Sequence, residues 1–216
     1  YKLNKKNTIN VGAVYTLGHT LHGDAYKYHQ TGAESNGSIY VQSQTGDTIP
    51  NPFKMPHTFG IGLTYVYDNR LTIGVDYTLQ KWNTADLAWS KFNKESVEMN
   101  SRTKIAFGAE FVPSYISHNY LKRIRYRMGA YCSSPYNKVS YTSPDTGTTS
   151  FQDGAREYGV SIGFGLPMFQ SKSMLNISGQ YIKVSPKFKG LMEENYLRIN
   201  IGLTFNERWF MKWKVD

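Results

Sequence analysis

The chain has 216 residues and one cysteine, with 25 basic against 16 acidic side chains, for a formal net charge of +9. No run of eighteen apolar residues occurs, which excludes a transmembrane helix but not a membrane, because barrel strands alternate and their hydropathy averages out. One cysteine makes no internal disulfide, and the cations are scattered apart from one cluster, Lys122, Arg123, Arg125 and Arg127, so no nucleic-acid partner is expected.

In chain order the sequence reads as a series of two-sided ribbons, since successive side chains of a strand point to opposite faces. The first is Thr8–Gly18, with Ile9, Val11, Ala13, Tyr15 and Leu17 on one side. A long polar segment, His19–His57, follows without a clear pattern and reads as a functional loop. Two ribbons then flank Asp68-Asn69 as a hairpin, with Phe59, Ile61, Leu63, Tyr65 and Tyr67 matched by Leu71, Ile73, Val75, Tyr77 and Leu79. Trp82–Ser101 reads as a second long loop, and Thr103–Phe111 as the fourth ribbon, ended by Pro113.

The fifth ribbon is Arg123–Cys132, with Arg123, Arg125 and Arg127 on its polar side, followed by a long loop over Ser133–Ala155. The sixth is Glu157–Leu166, the seventh Leu175–Tyr181, and a medium loop spans Lys183–Asn195. The eighth, Tyr196–Phe205, is the clearest: Leu197, Ile199, Ile201, Leu203 and Phe205 alternate with Tyr196, Arg198, Asn200, Gly202 and Thr204. Connections after odd-numbered ribbons are long or medium and those after even-numbered ones are short, the sorting of a membrane barrel with short periplasmic turns. The fold expected is therefore all-β, an antiparallel transmembrane β-barrel with eight strands in this chain. The rival is a soluble lipid-binding barrel with its apolar side turned inward.

The segments IPNPFKMPHTFGIGLTYVYDNRLTIGVDYTLQKW, YRMGAYCSSPY, GFGLPM and ENYLRINIGLTFNERWF resemble the later strands of a Bacteroidota outer-membrane protein similar to the FadL/OmpP1/TodX family. That resemblance covers most of the chain from residue 8 onward. It implies the C-terminal part of a fourteen-strand barrel in the bacterial outer membrane. It also implies passive transport of a hydrophobic or amphipathic small molecule such as a long-chain fatty acid. The family's plug and its Asn-Pro-Ala signature are not found here. The alternative role is a structural or partner-binding subunit of an outer-membrane complex with protein partners; a lipid-modifying enzyme comes third.

The polar sides of the ribbons gather Asp76, Lys104, Glu110, Arg125, Arg127, Glu157 and Arg198 as lumen-lining candidates. They line a conduit or fill the interior as salt bridges. Trp82, Trp209, Phe210 and Trp213 are expected as membrane-interface anchors, the last three on a periplasmic tail, residues 206–216. The basic excess suits outer-membrane lipid and lipopolysaccharide. His19, His22 and Asp24 match no catalytic spacing, and no phosphate-loop, zinc or calcium pattern occurs, so no enzyme, cofactor or metal is expected.

The polar side is also rich in glycine, including Gly12, Gly60, Gly62, Gly74, Gly108 and Gly129. Eight strands would leave such an interior poorly filled. The expectation is that further strands upstream of Tyr1 widen the barrel.

Overall fold

A computed structural model describes residue 4 and residues 6–35, 38–84, 98–142, 147–168, 173–187 and 192–205. In chain order the strands are β1 (Asn7–Thr16), β2 (His19–Leu21), β3 (Asp24–Ser35), β4 (Ser38–Pro50), β5 (Phe53–Met55), β6 (Thr58–Tyr67) and β7 (Leu71–Gln80). They continue as β8 (Arg102–Phe111), β9 (Arg125–Ser133), β10 (Lys138–Thr142), β11 (Thr149–Asp153), β12 (Ala155–Pro167), β13 (Met174–Pro186) and β14 (Glu194–Thr204).

Eight of them form one antiparallel sheet, in the order β1-β6-β7-β8-β9-β12-β13-β14. These are the eight alternating ribbons of the sequence. Each pairs with its neighbour along the chain once the intervening hairpins and ribbons are set aside, so the sheet is an up-and-down meander. Among the described residues β1 pairs only with β6 and β14 only with β13, so the sheet has two open edges and β1 does not meet β14.

The short-turn end is built from local chemistry. Asp68 and Asn69 adopt φ of 50° and 53°, a region those residues tolerate, and this reverses the chain between β6 and β7. The connection from β8 to β9 holds a single helical turn, Tyr120–Arg123, capped by the Asn119 side chain, which accepts from the Leu121 N–H at 3.0 Å. Val112 is fully buried there, and its N–H donates to the Arg70 carbonyl.

Several boundaries differ from the sequence reading. The fifth strand begins at Arg125 rather than Arg123, because Arg123 belongs to the helical turn and lies over the Tyr120 ring. The seventh strand continues through Pro186, and β14 starts at Glu194, so strand takes up both ends of the medium loop.

Of the three long segments, Trp82–Ser101 lies mostly outside the described residues, and the other two are not loops either. His19–His57 folds as the ribbon β2–β5 and the long hairpin β3–β4, and Ser133–Ala155 contains the hairpin β10–β11. Their apolar alternation is short or rests on tyrosine, as with Val139 and Tyr141 in β10 or Tyr26 and Tyr28 in β3, too weak a period to tell strand from loop. Cross-strand backbone pairing makes them all the same.

Candidate functional site

The ladder register places residues from all eight strands in common rows. One side of the sheet is apolar. A central row runs Val11, Leu63, Val75, Phe107, Ala130, Val160, Tyr181, Leu197. Near the short-turn end a row carries Tyr67, Leu71, Phe111, Tyr126, Phe164, Ile177 and Ile201. Near the opposite end stand Tyr15, Phe59, Tyr77 and Tyr158. This apolar side is the bare one: Val11 is 69% exposed, Ile162 63% and Ile201 72%.

The other side carries the charges, tied together in two clusters. At the short-turn end Glu110 on β8 stands opposite Arg127 on β9. Its carboxylate accepts from Arg127 Nε at 2.6 Å and from Arg125 Nη1 at 3.1 Å. Arg127 Nη1 also reaches across β12 to donate to Asn176 Oδ1 on β13 at 2.8 Å. Asn176 in turn donates to Thr204 Oγ1 on β14 at 3.2 Å. The reach is possible because Gly163 and Gly165 occupy the β12 positions facing Arg127 and Arg125.

The second cluster lies toward the other end. Glu157 on β12 accepts from the Tyr131 hydroxyl at 2.5 Å and pairs with Arg102 at 3.7 Å. Lys104 Nζ sits 4.5 Å above the Tyr131 ring, and Arg102 Nε donates to Ser133 Oγ at 2.8 Å. Between the clusters Gly74, Gly108 and Gly129 stand side by side on β7, β8 and β9.

The seven charges named from the sequence therefore share a face, but the structure does not join them all. Glu110, Arg125 and Arg127 meet; Glu157 and Lys104 meet through Tyr131. Asp76 is exposed, and its side chain crosses in front of Gly62, where an added Cβ would lie 2.4 Å from the carboxylate. Arg198 is exposed on the edge strand β14, opposite Gln180. Tyr131, Arg102 and Asn176 were missed as partners. Gly159, directly opposite Tyr131, was the signal for the first of them, since a ring folds over a position without a side chain.

Trp82 begins a one-turn 3-10 helix; its Nε1 donates to Gln80 Oε1 at 3.2 Å and its ring rests against Tyr136, 5.4 Å between centroids. Trp209, Phe210 and Trp213 lie outside the described residues. Among the described residues no group of three His, Cys, Asp or Glu side chains is placed to hold a metal ion.

The sheet has one bare apolar side and one side that carries tied charges, and the chain as a whole, residues 1–216, matches the BamG family. The protein belongs to the BamG family. BamG proteins are structural components of an outer-membrane complex, so this chain is an outer-membrane protein and not an enzyme. No curated protein and no solved structure gives a significant match.

The BamG match corrects the FadL/OmpP1/TodX resemblance, and with it the reading as a FadL-like lipid transporter and the hydrophobic small-molecule substrate. The reason is physical. Alternating ribbons with glycine on the polar side and aromatics at the ends are what lipid asks of any barrel strand. Segments such as GFGLPM and YLRINIGLTF record that solvent rather than a cargo.

Proposed function

We propose that this BamG protein is a membrane-embedded scaffold subunit. It holds its place in lipid with the apolar side of the eight-stranded sheet and binds protein partners of the complex with the ribbons at the long-connection end. The observation that carries this reading is the inversion of the sheet: its large aliphatic side chains are exposed and five of its seven inner charges are drawn into clusters. A contiguous apolar surface of this extent marks a membrane or protein interface. Leu71 to Leu79 on β7 is nine residues, the length that a tilted transmembrane β-strand of about 9–11 residues needs. Tyr and Phe concentrate at the two ends of that band, as in the aromatic girdles of such barrels.

The inner charges support the scaffold reading over a conduit. Glu110 is committed to two arginines, and Arg127 is further committed to Asn176, so these side chains hold strands β8, β9 and β13 in position. The basic excess of the chain suits contact with outer-membrane lipid and lipopolysaccharide at the band's rims.

Native purification tests the proposal. Extracted from outer membranes in mild detergent, the protein is expected to sediment with stoichiometric protein partners. A protein released without detergent, or one that migrates alone at its own mass under the mildest extraction, would overturn it.

A further inference from the structure

Strands β1 and β6 continue past the main sheet. Beyond a kink at Gly18 and at Pro56-His57 the same two chain segments pair again as the ribbon β2–β5. The kink is tight. A Cβ on Gly18 would lie 2.9 Å from the His57 backbone nitrogen and from the Met55 carbonyl oxygen, so glycine is what lets the two segments close there. His57 Nδ1 accepts from the Gly18 N–H at 3.2 Å and lies 2.8 Å from the Tyr15 hydroxyl. A backbone N–H can only donate, so Nδ1 is an acceptor and the ring proton sits on Nε2. That N–H has no partner among the described residues.

A cleft of about 170 Å³ opens at the kink, and Thr20, Lys54 and His57 line it. Thr20 and Lys54 are a cross-strand pair, so their side chains leave the ribbon on one face. Lys54 is half-buried, and neither its ammonium nor the Thr20 hydroxyl has a partner among the described residues. No carboxylate lines the cleft. It therefore gathers an ammonium, an imidazole N–H and a hydroxyl, with no anionic side chain to answer them.

The level of the cleft selects its ligand. The Tyr15 ring stacks on His57, 6.0 Å between centroids, and meets Phe59 at 4.9 Å. Tyr15 and Phe59 end the apolar side of the sheet at the long-connection end, and Lys81 Nζ lies 5.5 Å from the centre of the Phe59 ring. Aromatic belts of this kind sit where hydrocarbon gives way to headgroups. We propose that the cleft binds the phosphate group of an outer-leaflet lipid. Lys54 supplies the point charge, and His57 Nε2 and the Thr20 hydroxyl donate to the phosphate oxygens. The inference rests on the membrane-embedded reading above and adds where one lipid is held. A lipid held there ties the β2–β5 ribbon, and the hairpin β3–β4 that it carries, to the bilayer surface.

Native mass spectrometry of the intact protein tests this, after reconstitution in phosphatidylcholine vesicles that contain phosphatidic acid as the phosphate-monoester probe. Each variant is first checked for folding by its shift in gel mobility on heating. The wild type is expected to keep one bound phosphatidic acid. Lys54→Gln is expected to lower its occupancy about fivefold, the scale of one lysine at an anionic lipid surface. Thr20→Val is expected to lower it as well, and Lys54→Arg to retain it. Lys183→Gln removes a lysine that is paired with Glu193 away from the cleft, and is expected to leave the occupancy unchanged. Equal losses in Lys54→Gln and Lys183→Gln would mean that lipid follows net charge and not this cleft, and would overturn the inference. Equal binding of inorganic phosphate at the same concentration would make free phosphate the ligand and overturn the lipid assignment. A wild-type chain that folds in vesicles and keeps no phosphatidic acid loses this site and leaves the scaffold reading standing. A chain that does not insert into vesicles has lost the membrane-embedded reading itself.

Discussion

Glu110 and Arg127 face each other across the β8–β9 ladder, and their side chains meet at 2.6 Å while Arg125 closes on the same carboxylate from the next inward position. One acid thus answers two guanidinium groups on the polar side of the sheet. Removing it by Glu110→Ala leaves two like charges adjacent on β9. Glu110 retains 26% of its side-chain exposure, so solvent moderates the effect. The expected loss is about 1–2 kcal/mol, between the value of exposed pairs and that of fully buried ones. Glu110→Gln keeps the acceptor oxygen and is expected to lose less. Urea unfolding in detergent micelles reads both; equal stability for wild type and Glu110→Ala would show that the cluster contributes nothing.

Gly159 makes the second cluster possible. The Tyr131 ring crosses it so closely that an added Cβ would lie 2.1 Å from the ring. Gly159→Val therefore expels the ring, and the hydroxyl loses Glu157. The expected result is a destabilisation of about 1–3 kcal/mol from overpacking, with Tyr131→Ala in the Gly159→Val background costing little more. Additive losses in that double-mutant cycle would mean that the ring and the glycine act separately.

These two contacts show where the sequence was legible. Strands such as β6 and β14 could be read because one side meets apolar surroundings and the other does not, and a period of two records that difference. Hairpin β3–β4 sets only Tyr26 and Tyr28 against Ala25, Lys27 and His29 along DAYKYHQTG, too weak a difference to mark a strand, so the sequence reads as loop. Charges on the polar faces could be assigned to one side by parity. Their partners could not, because strand register between distant segments decides that Arg127 reaches Asn176 rather than Asp76. Family also escaped the ribbon pattern, since the pattern reports the surrounding lipid.

The open edges yield a third prediction. Gly12 on β1 and Gly202 on β14 have nothing within 4 Å of where a Cβ would stand, so the inner side is unfilled at both edges. A direct β1–β14 junction would close eight strands around that space and leave it void. The prediction is that other strands, of this protein or of a partner, lie between the edges, since an unpaired edge does not persist in lipid. Cysteines placed on β1 at Ile9 or Val11 and on β14 at Leu197 or Ile199, in a Cys132→Ser background, are expected to form no disulfide under oxidation in the membrane. Formation in any of the four combinations would show that the sheet closes on itself.

The last prediction separates lipid from water as the neighbour of the apolar side. Ile162 lies on β12 between Met128 and Gly179, away from both sheet edges, and is 63% exposed. In water an exposed Ile→Lys change lies within about 0.5 kcal/mol of neutral, because the ammonium is solvated at once. In the apolar band of a membrane barrel the same change costs about 2–4 kcal/mol, because the charge must stay in hydrocarbon or be drawn to the rim. Ile162→Lys is therefore expected to lower stability by that larger amount in lipid vesicles. Lys183, already on the same face but level with Asn195 and paired with Glu193 at 2.5 Å, marks where charge becomes tolerable. Moving the substitution from Ile162 to Tyr158, in the row of Lys183, is expected to reduce the cost by at least half. The measurement is reversible unfolding in vesicles, with folding followed by the shift in gel mobility on heating. A cost near zero at Ile162 would mean that the apolar side does not face hydrocarbon, and the membrane-embedded reading would fall with it.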